Sequence, residues 1–198
     1  MLRTPEALIP YLLATACLVG GGIWHAADQV RPGQVVTSGR AEVGGPFALL
    51  DQNGETKTDA DFHGRWMFIY FGYTNCPDVC PTTLALMSEV TKRLGSKSRR
   101  IAPIFITVDP ARDSSRTLKQ YLGAFGPQIV GLTGPKSHIA SVESEYHVYV
   151  RNRPLPGGQY AVDHSNVIYL MDPNGKFAAN YDNSQGPDEI AADLEKRL

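Results

Sequence analysis

The stretch "YFGYTNCPDVCPTTL", residues 70–84, holds two cysteines four positions apart, Cys76 and Cys80, each followed by a proline. A thiol pair at this spacing could serve as a structural disulfide, as an exchanging dithiol, or as two thiolates awaiting a further donor to a metal. The structural bridge is the weakest reading. Such staples serve small domains that lack a core, and closing so short a loop removes little chain entropy. A dithiol at a helix start is activated as thiolate by the helix dipole and the free N–H groups. Exchanging pairs, however, normally have two residues between their cysteines, and here Pro77, Asp78 and Val79 intervene. The longer loop lets both sulfurs face one point, which suits a metal more than fast exchange.

Two thiolates are an incomplete transition-metal site, and the missing donor should be an imidazole. The chain has five histidines. His25 lies in a polar tether. His63 sits beside Gly64, in a turn at the far end of the strand that leads to the cysteines. His138 starts a helix and His147 ends it. These four read as structural or solvated. His164, in "YAVDHSNVIYLM", occupies a polar break just before a buried strand.

The elements that would position these residues can be read from the apolar pattern. Residues 66–71, "WMFIYF", and 101–108, "IAPIFITV", are continuous apolar runs that fit strands buried on both faces. Between them, Leu84, Met87 and Leu94 keep helical spacing, with Lys92 and Arg93 in the last turn and Gly95 as a stop. Asn53-Gly54 marks an N-terminal hairpin. Leu118, Tyr121, Leu122 and Phe125 mark a second helix, "IVGLTG" a short strand, and Ile139, Val142 and Tyr146 a third helix. "VYVRN" leads into "RPLPGGQ", read as a loop. Residues 166–172 form a strand that Pro173-Asn174-Gly175 turns into "KFAANY". The last helix starts from Gly186, with Pro187 at its first position and Lys196 and Arg197 in its last turn.

Strands alternating with helices predict an α/β domain, a central β-sheet covered on both faces. A strand running straight into a cysteine pair, with a helix starting at the second cysteine, is the thioredoxin-like arrangement. In that fold the loop entering the later strand lies against the redox loop, and this address singles out His164. A Cys76, Cys80, His164 set, two soft sulfurs and one imidazole, suits Cu(I) and accommodates Cu(II) with one further ligand. Structural zinc prefers four protein ligands, and no convincing fourth is present.

The 198 residues amount to one ordinary domain and an appendage. A formal net charge of −1 gives no sign of a nucleic-acid partner. Residues 7–24, "ALIPYLLATACLVGGGIW", are uncharged and as a helix would span roughly 27 Å, enough for a bilayer core. Arg3 precedes the run, and Trp24 fits an interfacial anchor. No small-x-small site closes it, so an uncleaved N-terminal anchor at residues 1–24 is favoured over a cleaved signal. Cys17 is then a passive apolar residue. Residues 25–43 form the tether, and residues 44–198 the globular domain, placed on the oxidising side of a bacterial inner membrane, the periplasm.

"GYTNCPDVCPTTL", "TVDPARD" and "VDHSNVIYLMDPNGKF" together resemble the signature segments of the SCO/SenC family, over about residues 44–198 and in the same order. The resemblance implies a membrane-anchored, thioredoxin-like copper protein that assists assembly of cytochrome c oxidase. Its copper ligands fall on Cys76, Cys80 and His164. Its loop acid falls on Asp78 and its Asp-Pro motif on Asp109 and Pro110. These two acids and Asp163 are read as loop structure and support, not ligands. The implied client is oxidase subunit II, whose dinuclear copper site is built from cysteines and histidines, with a copper donor chaperone upstream. Metal delivery is the favoured role. The alternatives are a thiol–disulfide oxidoreductase that reduces the client's cysteines, and a redox sensor.

Overall fold

The two apolar runs form the middle of the sheet. The computed structural model describes residues 42–126 and 128–198. Strand β3 (Trp66–Gly72) and strand β4 (Ile101–Thr107) pair in parallel, from Trp66↔Ile101 to Gly72↔Thr107. Neither can face water, so both are apolar along their length and nearly every side chain is buried. Strand β5 (Val130–Thr133) adds in parallel to β4. The hairpin of β1 (Ala48–Asp51) and β2 (Thr56–Thr58) closes that edge, with β1 antiparallel to β5. On the other side β8 (Ile168–Met171) runs antiparallel to β3, and β9 (Phe177–Tyr181) to β8. The order across the seven-stranded sheet is β2-β1-β5-β4-β3-β8-β9.

Helix α1 (Val79–Arg93) follows β3 and packs against the C-terminal helix α4 (Pro187–Arg197). It buries Cys80, Leu84, Met87 and Val90, a helical stripe. It ends in Lys92 and Arg93, and Gly95 follows in the left-handed region at φ 53°. Helix α2 (Ser115–Leu122) starts at Ser114, whose hydroxyl accepts the Thr117 amide, and packs on β5. Helix α3 (Lys136–Glu145) packs on β1.

This is the expected mixed α/β sheet with its helices, and the structure differs from the sequence reading in three places. The second helix stops at Leu122, and Phe125 belongs to a short 3₁₀ turn. The strand expected over 166–172 is confined to β8. The main difference is a two-stranded antiparallel ribbon outside the sheet: β6 (Val150–Pro154) pairs with β7 (Tyr160–His164), where a loop and a polar break were expected. Most of its residues are exposed or half-buried on both faces, so no hydrophobic alternation marks it. The expected anchor at residues 7–24, and the tether up to residue 41, lie outside the described residues. No helix among the described residues is long and apolar enough to cross a membrane.

Candidate metal centre

The cysteines sit where β3 leaves the sheet. The chain passes from Gly72 through a short loop into α1, so that Cys80 lies in the first turn of the helix and is fully buried. Gly72 makes room for it. A Cβ at that position would lie 2.8 Å from Phe105 and 3.0 Å from Cys80 Sγ. Cys76, on the loop, is partly exposed. Its Sγ accepts the Cys80 amide at 3.4 Å, at the positive end of the helix.

The two sulfurs are electrostatically unlike. A hydrogen bond from the Cys80 thiol pulls Cys76 down to about 3; the amides of Cys80 and Asp78 act in the same direction, while desolvation opposes them. The same hydrogen bond, with burial, pushes Cys80 up. The shared hydrogen bond favours the thiolate at Cys76 and the thiol at Cys80. Tyr70 Oη lies 3.6 Å from Cys80 Sγ, and burial keeps that phenol protonated.

His164 enters from the end of β7. Its Nδ1 lies 3.0 Å from the Ser165 carbonyl, and its Nε2 lies 3.5 Å from Cys80 Sγ. An Nδ1–H donating to that carbonyl leaves the Nε2 lone pair facing the sulfurs, the tautomer a metal ligand needs. Tyr73 and Tyr70 stand edge-on to the ring, with centroids at 5.8 and 6.1 Å. One sulfur from each cysteine and one ring nitrogen all lie within 4.8 Å of one another. Among the described residues this is the one cluster of three such donors.

The other sequence-predicted residues stand apart. His63 faces Asp59 at 3.5 Å, and His138 lies 3.4 Å from the Ala48 carbonyl. His147 follows α3 with φ 53°. Asp163 pairs with Arg153 at 3.3 Å. The Asp78 carbonyl accepts the Thr82 amide. Asp109 is buried, accepts Tyr160 Oη at 2.8 Å and pairs with the Arg112 guanidinium. That guanidinium also stacks on the Tyr160 ring at 3.8 Å, which latches the ribbon to the loop after β4.

Several supporting residues escaped the sequence reading. Tyr70 reads as core because it lies in an apolar run. Asn166 accepts Tyr70 Oη at 3.2 Å and lies 3.2 Å from Thr83 Oγ1, which accepts Asn183 Nδ2 at 2.9 Å. These partners are 83 to 100 positions apart, beyond any local motif.

A sheet of this order with a cysteine pair at the end of a central strand defines a thioredoxin-like protein, here with an imidazole closing on the sulfurs. The SCO1/SenC family model matches residues 35–198, and the chain belongs to that family. It is 38% identical to the mitochondrial SCO2 homolog of Mus musculus, over 99% of this chain and 81% of that protein. The copper-bound structure of Bradyrhizobium japonicum ScoI is 46% identical with a TM-score of 0.75, covering 79% of this chain and 99% of that one. Copper-bound yeast Sco1 is 39% identical with a TM-score of 0.73, covering 78% and 87%.

Proposed function

We propose that the protein binds one copper ion through Cys76 Sγ, Cys80 Sγ and His164 Nε2 and passes it to the dinuclear copper site of cytochrome c oxidase subunit II. The observation that carries this reading is the convergence of two sulfurs and an oriented imidazole within 4.8 Å. Soft thiolates with one imidazole favour Cu(I), and a further donor would complete a Cu(II) site. Copper ligation requires free thiolates; the site favours the thiolate at Cys76, and Cys80 would have to lose its proton to bind. Cys76 is the more accessible sulfur, so an incoming client thiolate meets it first. Family membership and copper-bound relatives support the reading. Residues 7–24 would anchor the chain in the inner membrane, with residues 44–198 in the periplasm, loaded there by a copper donor.

A second reading rests on one observation. A partly exposed sulfur of lowered pKa beside a buried thiol is also the layout of a dithiol reductant, which would keep the client's cysteines reduced. His164 separates the two roles, because disulfide exchange does not require that imidazole. In cells lacking the wild-type protein, His164→Ala should lose oxidase activity while its cysteines remain redox-active. Full rescue by His164→Ala, with none by Cys76→Ser, would favour the reductase.

A further inference from the structure

Of the three donors, Cys80 is set by a helix and the sheet core, and His164 by a strand end and its bond to Ser165. Cys76 stands on the loop between Gly72 and α1, and its position depends on what ties that loop down. The tie is a buried carboxylate. Asp113 is fully buried, with Oδ2 accepting the Thr74 amide at 3.0 Å and Thr107 Oγ1 at 2.6 Å, and Oδ1 accepting Thr74 Oγ1 at 2.6 Å. Two of these three bonds go to one loop residue, two positions before Cys76. The loop then turns on itself, with the Cys76 amide donating to the Tyr73 carbonyl at 3.3 Å.

Asp113 is itself held from behind. Its amide donates to the Asp109 carbonyl at 3.0 Å, and its carbonyl accepts Thr133 Oγ1 from the end of β5 at 2.7 Å. Its other carboxylate donor, Thr107, ends β4. The carboxylate is thus a post at the C-terminal ends of the interior strands β4 and β5. An isolated buried acid is costly, and this one is made tolerable by three donors, two of which belong to the cysteine loop.

We propose that Asp113 is a positioning residue for the metal centre: through Thr74 it holds Cys76 at the distance from Cys80 and His164 that the ion requires. The proposal rests on the copper reading above. It is tested on the full chain with Thr74→Val, which removes the hydroxyl at constant shape, Thr74→Ser, which restores it, Asp113→Asn, and Thr133→Val. The last removes a hydrogen bond to Asp113's backbone without touching the loop. Three quantities are measured: Cu(I) affinity by chelator competition, amide hydrogen exchange over residues 73–79 in the metal-free protein, and melting temperature.

Thr74→Val and Asp113→Asn should weaken Cu(I) binding about 10-fold or more, the effect expected for residues that orient metal ligands, and speed exchange in the loop. Thr74→Ser should match wild type in both. Thr133→Val should melt earlier with wild-type affinity and loop protection. Wild-type affinity and protection in Thr74→Val would overturn the proposal, as would an equal loss of affinity in Thr133→Val, which would mark a merely structural role. If wild type takes up no Cu(I), the copper reading falls, and loop exchange alone decides whether Asp113 positions Cys76.

Discussion

Cys80 Sγ and His164 Nε2 lie 3.5 Å apart, yet one belongs to a helix buried against the sheet core and the other to a ribbon outside the sheet. Behind Cys80 stand Gly72, Tyr70 and Phe105, all at the centre of the core. Behind His164 the supports are few and specific. Val162 donates its amide to Tyr73 Oη at 3.4 Å, and Ser165 exchanges bonds with Tyr149. Tyr160 is clamped by Arg112 and Asp109. Cys80 is fixed by the same packing that stabilises the fold. The imidazole half is fixed by contacts that the fold could lose and survive. Stability and metal affinity should therefore separate according to which half is altered.

The largest effect is expected on the sheet side. Phe105→Ala should cost about 3–5 kcal/mol of folding free energy, the range for emptying a buried aromatic site, and should weaken copper binding as well, since Phe105 packs against Tyr70 and lies close to Gly72. Urea denaturation with and without Cu(I) measures both. A stability near that of wild type would break the comparison from the sheet side.

On the ribbon side the effects should come apart. Tyr160→Ala removes the stack on Arg112 and the bond to Asp109, and the hydrogen bond alone is worth about 1.5–3 kcal/mol when its partner is charged. Most of that loss should fall on the docking of the ribbon. Cu(I) affinity should drop about tenfold, as when an orienting residue is lost, while the melting transition of the sheet moves little. A large fall in melting temperature with unchanged affinity would show that the ribbon supports the sheet rather than the site.

The smallest effect is a pH dependence. Glu143, on α3, lines a groove of about 670 Å³ that α3 shares with β6 and Tyr160. Burial raises its carboxyl to about 7. A folded-state value above the ordinary 4.5 means that the native state holds the proton more tightly. The contribution to stability is full below the ordinary value and is lost as pH rises through about 7. Wild type should therefore lose stability between pH 5 and 8 relative to Glu143→Gln, measured by urea denaturation at both values. Parallel pH profiles for the two proteins would exclude this groove acid as a source of the effect.

The same division governs what could be read from the chain before folding. β3 and β4 announce themselves because burial on both faces forces an unbroken apolar run, and α1 because one buried stripe forces helical spacing. Cys76 and Cys80 follow directly from those two elements. His164 was legible by its address ahead of a buried strand, but the ribbon that carries it was not. Arg151, Asn152 and Arg153 on one strand and Asp163 on the other leave no hydrophobic period to detect. The supports Tyr70, Thr74, Asp113 and Asn166 were hidden for another reason. Their partners are hydrogen-bonding groups brought together by the sheet order, and neither composition nor local spacing encodes such a meeting.

The most direct test of the central claim, that Cys76, Cys80 and His164 form one copper site, is X-ray absorption of the reduced full chain loaded anaerobically with Cu(I). Wild type should show one copper per chain with two sulfur and one nitrogen neighbours. His164→Ala should lose the nitrogen together with most of the affinity, at an unchanged circular dichroism spectrum. A His164→Ala protein with the wild-type coordination shell and affinity would contradict the claim.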